Sequence, residues 1–220
     1  MINWFKKKRK INYPDFWESY ARQFNDKLSQ DLNSIRFVVL DTETTGFDYE
    51  NDRVLSIGAL SLKNSTIIVN ESFEVFLDQH FYHAKNVEIH GILKDGKQDR
   101  ITELEALMLF LEFIGNAVLV AHHARFDINM INHALKRHGM PKLKNKVLDT
   151  SVLFKKSLIA TPLSRTQEAY TLDYLADKFD ISTKDRHTAL GDAYITAIAF
   201  LKILVKLKAQ RNFSVKKLLR

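Results

Sequence analysis

The stretch that most constrains this chain is Val38-Val39-Leu40-Asp41-Thr42-Glu43-Thr44-Thr45-Gly46. An apolar run from Phe37 to Leu40 ends abruptly in two carboxylates two positions apart. Side chains at i and i+2 of a strand share a face, so Asp41 and Glu43 project together from the end of a buried central strand. Carboxylates held side by side repel unless a cation joins them, and the hard, oxygen-seeking ions Mg²⁺ and Mn²⁺ suit that task.

The chain has 220 residues, 45% hydrophobic and 27% charged, enough for one good core and ordinary for a soluble globular protein. No apolar run reaches membrane-spanning length, and no apolar stretch of the signal-peptide kind follows the basic segment Lys6–Lys10. A cytoplasmic protein without membrane contact is expected. The lack of cysteine removes disulfides, thiol catalysis and Cys-ligated zinc or iron–sulfur sites, and fits a reducing compartment.

The net charge of +7 is unevenly spread. Residues 1–36 carry 8 Lys/Arg against 4 Asp/Glu, and residues 202–220 carry 7 against none, whereas residues 37–201 carry 18 against 22. Basic ends around an acidic body suit a protein that meets a polyanion while gathering carboxylates at a metal site.

Hydrophobic periodicity gives the order of elements. Residues 1–34 read as a basic leader followed by an accessory amphipathic helix over Pro14–Ser29, with Phe16, Tyr20, Phe24 and Leu28 as its stripe. Strands over Ile35–Asp41, Val54–Leu62 and Thr66–Leu77 form a meander. After a polar stretch, Asp78–Arg100, helices are expected over Ile101–Ile114, Phe126–His138, Ser151–Leu158, Leu172–Phe179 and Asp192–Leu207. Short strands over Ala117–Ala121 and Lys146–Asp149 lie between them. The result is an α/β fold: a mixed central sheet, a three-stranded meander plus short strands, covered by helices. The expected domain spans 35–208, with a basic C-terminal tail over 209–220.

Two further segments carry acids. His122-His123-Ala124-Arg125-Phe126-Asp127 leaves a strand and opens a helix, and His187-Thr188-Ala189-Leu190-Gly191-Asp192 opens the last long helix. Each acid alone fits the favourable charge of a helix start. Together, Asp41-x-Glu43, His-x-Ala-x-Phe-Asp127 and His187-x-Ala-x-x-Asp192 resemble the DnaQ-like 3′–5′ exonucleases of the DEDDh type, including the proofreading, epsilon-type domain. Thr44-Thr45-Gly46, Ile89-His90-Gly91-Ile92, Leu148-Asp149-Thr150 and Thr171–Ala176 extend the resemblance, which covers about residues 35–205.

The resemblance implies an RNase H-like fold and hydrolysis of phosphodiesters from 3′ ends with two divalent metal ions, Mg²⁺ or Mn²⁺. It makes Asp41, Glu43, Asp127 and Asp192 the metal ligands, with Asp41 between the metals, and His187 the general base. Thr188 stands where the sister type has tyrosine. Substrate contacts are expected from Thr44, Thr45, Gly46, Phe47, His90, His122 and Phe126. His123 stands where the family usually has Asn. Asp149 is expected to cap the following helix. The favoured substrate is single-stranded or frayed DNA, with nucleoside 5′-monophosphates as products. The alternatives are an exoribonuclease of the same superfamily and a catalytically weak module binding nucleic acid or a polymerase. A DNA polymerase or another replication or repair protein is a candidate partner.

Overall fold

The computed structural model describes residues 12–79, 98–158 and 170–219. A six-stranded sheet runs in the order β4-β3-β2-β1-β5-β6, with β1 Phe37–Thr44, β2 Val54–Lys63, β3 Thr66–Leu77, β4 Arg100–Ile101, β5 Val118–Ala121 and β6 Val147–Asp149. The pairs β1/β2 and β2/β3 are antiparallel; β3/β4, β1/β5 and β5/β6 are parallel. The meander turns on Asn64 and Ser65, both at positive φ, as a tight two-residue hairpin requires.

Helices cover both faces. Val38 and Leu40 pack with α1 Asp15–Arg22, α2 Glu103–Ile114 and α3 Arg125–Arg137. Phe37 and Val39 pack on the opposite face with α4 Thr150–Ser157, α5 Leu172–Phe179, α6 Ala189–Lys208 and the short α7 Val215–Leu218. The alternation of β1 therefore feeds two separate cores, and every residue from Val38 to Leu40 is fully buried. Among the described residues, no helix is long and apolar enough to cross a membrane.

Most elements fall where periodicity places them. Three differ. The first helix ends at Arg22 rather than Ser29. Its last carbonyls are taken by tertiary donors and tight turns: Lys144 Nζ donates to Ala21 O, Asn116 Nδ2 to Gln23 O, and Phe24 N to Ala21 O. Asn25 and Asp26, poor helix formers, follow. Strand β1 continues past Asp41 to Thr44 because β2 pairs with it as far as Val54. Finally, the basic segment after residue 208 is not all tail: Val215 and Leu218 are buried against α6 and α4 neighbours in the core.

Candidate active site

The site forms where β1 leaves the sheet. Alternation sends Asp41 and Glu43 towards α6, and one ligand oxygen from each of Asp41, Glu43 and Asp192 lies within 4.8 Å of the others. The intervening Thr42 belongs to the other face. There its N–H and Oγ1 both donate to Asp127 Oδ1, at 3.0 and 2.7 Å. Asp127 thus approaches the end of β1 from the first turn of α3, while Asp192 approaches from the first turn of α6.

Gly58 sets the depth at which α6 docks. It pairs directly with Asp41 across β1/β2. A Cβ there would overlap the Leu190 nitrogen and the Ala189 carbonyl carbon, with Leu190 Cα 2.5 Å away. Only a glycine lets the start of α6 come this near the sheet.

The four acids destabilise one another's charge. Burial first, and then the negative charges of Asp127, Asp192 and Glu43, push the Asp41 carboxyl well above the usual carboxylate range. Burial with Asp192 and Asp127 raises Glu43 to about 7. Burial raises Asp127 to about 7 against the lowering effect of its Thr42 hydrogen bonds. Burial also raises Asp192, which the Arg186 contact partly offsets. Asp192 Oδ1 is buried with no hydrogen-bond partner. An all-oxygen donor set with a buried, unpartnered carboxylate oxygen fits a hard divalent cation.

The loop after β1 is built to hold its own shape. Thr45 Oγ1 donates to Asp52 Oδ1 at 2.7 Å, and Asp48 N donates to Asp52 Oδ2 at 2.8 Å. Gly46 lies so close to the Asp52 carboxylate that a side chain there would push it off its bonds to Thr45 and Asp48. Thr44 Oγ1 bonds back to Gly46 O. The loop leaves Phe47 81% exposed, its ring 5.6 Å from that of Phe126. Phe126 in turn contacts Tyr49 and is partly buried.

Beyond β5, His122 faces inward. Its Nδ1 hydrogen-bonds Thr150 Oγ1 at 2.8 Å and its Nε2 is buried without a partner. Burial, with His123 beside it, lowers it to about 4, so the ring is neutral at pH 7. His123 has φ 56°, and its Nε2 meets Tyr170 O at 3.0 Å. That left-handed backbone is one that His, like Asn and Asp, adopts more readily than most residues. Asp149 does cap α4, accepting from Ser151 N and Val152 N; its other oxygen accepts from Ala124 N.

His187 is exposed, at φ 65°, and its N–H donates to Asp192 Oδ2 at 3.3 Å. Sequence reasoning left Arg186 beside it without a role, although its Nη1 donates to Asp192 Oδ2 at 2.5 Å. Thr42 and Gly58 were also passed over. The signals for these two lay in the alternation of β1 and in a lone glycine inside an apolar strand. His90 lies outside the described residues.

Comparison with known proteins bears on this geometry. The family model described as Exonuclease matches residues 38–200. DNA polymerase III PolC-type of Caldanaerobacter subterraneus subsp. tengcongensis is 37% identical over 173 residues, covering 78% of this chain and 12% of the relative. The PolC-type protein of Bacillus subtilis is 35% identical over 175 residues, covering 79% and 12%. The chain thus spans only about an eighth of the length of these curated relatives. Among solved structures, E. coli exonuclease I with a dT13 oligonucleotide aligns at TM-score 0.66 and 17% identity, covering 80% of this chain and 42% of that one. Exonuclease X with 5′-overhanging duplex DNA aligns at 0.62 and 17%, covering 83% and 97%. These structural likenesses concern the fold. The family match over residues 38–200 places this chain in the exonuclease family, and the likeness in fold goes with an RNase H-like architecture.

Proposed function

We propose that the protein is a metal-dependent 3′–5′ exonuclease of the DEDDh type, acting on single-stranded or frayed DNA ends and releasing nucleoside 5′-monophosphates. The observation that carries this reading is the meeting of Asp41, Glu43 and Asp192, the last with a buried, unpartnered carboxylate oxygen, in a chain of the exonuclease family. Asp41, Glu43 and Asp192 would hold Mg²⁺ or Mn²⁺, with Asp127 completing a two-ion site. Bound there, the ions would supply Lewis-acid stabilisation of the negative charge that develops on the phosphate oxygens.

The chain's own groups do the rest. His187, at the exposed rim beside Asp192, takes the proton of the attacking water. The oxygen of that water bonds to phosphorus, the P–O3′ bond breaks, and the 3′ oxygen leaves with the shortened strand as a hydroxyl, taking its proton from solvent. Phe47 offers an exposed aromatic face, backed by Phe126, on which a terminal base can stack. The Thr44–Gly46 loop, fixed by Asp52, sets where that nucleotide stops. The domain would run from residue 35 through the core-packed α7, Val215–Leu218. The polymerase named in the relatives makes a DNA polymerase the proposed partner class.

The deciding measurement is a product ladder from 5′- and 3′-labelled DNA and RNA oligonucleotides in Mg²⁺, Mn²⁺ and EDTA. The expected result is immediate release of the 3′ label as mononucleotide, stepwise shortening of the 5′-labelled strand, faster loss of DNA than RNA, and arrest by EDTA. Faster RNA loss would replace this reading with an exoribonuclease; no degradation would leave a binding module. In the same assay His187→Ala is expected to lower kcat about 10²–10⁴-fold. Mn²⁺ binding should persist, since none of the clustered carboxylates is removed.

A further inference from the structure

Arg186 is positioned to do more than neutralise charge. Its Nε and Nη2 donate to the two oxygens of Asp173 on α5, at 2.7 and 3.1 Å, while Nη1 donates to Asp192 Oδ2 on α6 at 2.5 Å. The side chain is only 17% exposed, whereas Asp173 is 66% exposed. A rigid planar fork can grip two carboxylates at once; a lysine ammonium on a flexible stem cannot reproduce that grip.

The two oxygens of Asp192 have different surroundings. Oδ2 receives Arg186 Nη1 and the His187 N–H. Oδ1 receives nothing and is buried. The loop between α5 and α6 therefore claims one oxygen and leaves the other, in a residue that clusters with Asp41 and Glu43, without a hydrogen-bond donor. Packing reinforces this: Gly191 has no room for a side chain, because the Asp185 carbonyl and Thr188 Oγ1 lie against it.

We propose that Arg186 is a positioning residue. It fixes Asp192 by Oδ2 so that Oδ1 is presented to the divalent cation, and the same contact ties the loop carrying His187 to that carboxylate. The role rests on the metal-dependent reading above. Hydrogen-bond partners standing behind a metal-ligating group commonly contribute 10–100-fold to metal affinity. An opposing effect exists, since a positive charge beside the site repels a cation. The sign of the change in metal affinity distinguishes orientation from repulsion.

The test is Mn²⁺ binding to the full chain without substrate, read from the electron paramagnetic resonance signal of free Mn²⁺. It is paired with kcat and KM on a labelled oligonucleotide. Arg186→Lys keeps the charge and loses the fork; it is expected to weaken Mn²⁺ binding about 10-fold or more and to lower kcat, with KM changed less than about threefold. Asp173→Asn loosens the anchor from an exposed position outside the acidic group, and should shift both readouts the same way by a smaller factor. Thermal unfolding identifies any variant that fails to fold, and the exposed Asp173→Asn site keeps the test decisive. Wild-type Mn²⁺ affinity in both variants would overturn the proposal. So would tighter binding in Arg186→Gln, which would make Arg186 a competitor of the metal. Failure of the wild type itself to bind Mn²⁺ would overturn the metal reading too, and so is told apart from failure of Arg186 alone.

Discussion

Asp41→Asn is expected to lower strand degradation by at least about 10³-fold, equivalent to about 4 kcal/mol of transition-state stabilisation, while making the metal-free protein more stable. The gain follows from the raised carboxyls at the end of β1. A carboxyl whose folded pKa stands above its unfolded value keeps its proton longer in the folded state. Stability is then fully present below the unfolded value and is lost as pH rises through the folded one. For Glu43 that window runs from its ordinary value of 4.5 to about 7. With discount for its partial exposure, the linked loss is on the order of 1–3 kcal/mol.

Asp41 faces the charges of Asp127, Asp192 and Glu43, so removing its own charge relieves all of them. At pH 8 without metal, Asp41→Asn should melt about 3 °C or more above wild type. Wild type should melt higher at pH 5 than at pH 8. Added Mg²⁺ should raise the wild-type melting point by mass action and leave Asp41→Asn nearly unmoved. Equal melting points at pH 8, together with equal responses to Mg²⁺, would show that Asp41 is not at the centre of the acidic group.

Gly58→Ala is the second large effect, and it acts without touching any acid. The added methyl would overlap backbone atoms of Leu190 and Ala189, which no rotamer change can relieve. The start of α6 must lift from β2, at an overpacking cost of about 1–3 kcal/mol or more. Asp192 sits in the first turn of α6 and moves with it. A displacement of about 1 Å at a catalytic group can cost on the order of 10²-fold in rate. Gly58→Ala should therefore lose activity out of proportion to its loss of stability, with Mn²⁺ binding weakened as well. Loss of melting temperature with unchanged kcat and Mn²⁺ affinity would show that the close approach serves packing alone.

What the sequence makes readable depends on the range of the interaction. The run Val38–Leu40 and the alternation through Glu43 are local, and they place two acids on one face without further help. The strand over Thr66–Leu77 and the helix over Leu172–Phe179 are likewise local in pattern and match to the residue. The α1 boundary is not local: Asn116 and Lys144 end the helix from distant parts of the chain. Arg186 is not readable for the same reason. An arginine beside a histidine carries no mark of which carboxylates it will meet, and the fork across Asp173 and Asp192 exists only once α5 and α6 have docked. Gly58 did carry a mark, since glycine inside an apolar strand weakens the strand unless another backbone must come close.

Asp127 and Asp192 reach the end of β1 from opposite sides of the sheet, one with each core. The acidic group is consequently complete only when both cores have closed on β1. Its first members lie in the first strand of the sheet and its last in the final long helix, so every contact that completes it is distant along the chain and slow to form. A nascent chain still lacking α6, or a folded one from which α6 has locally detached, has no assembled set of acids. Any chemistry that needs all four acids is thus confined to molecules in which both halves of the structure have closed on the same strand.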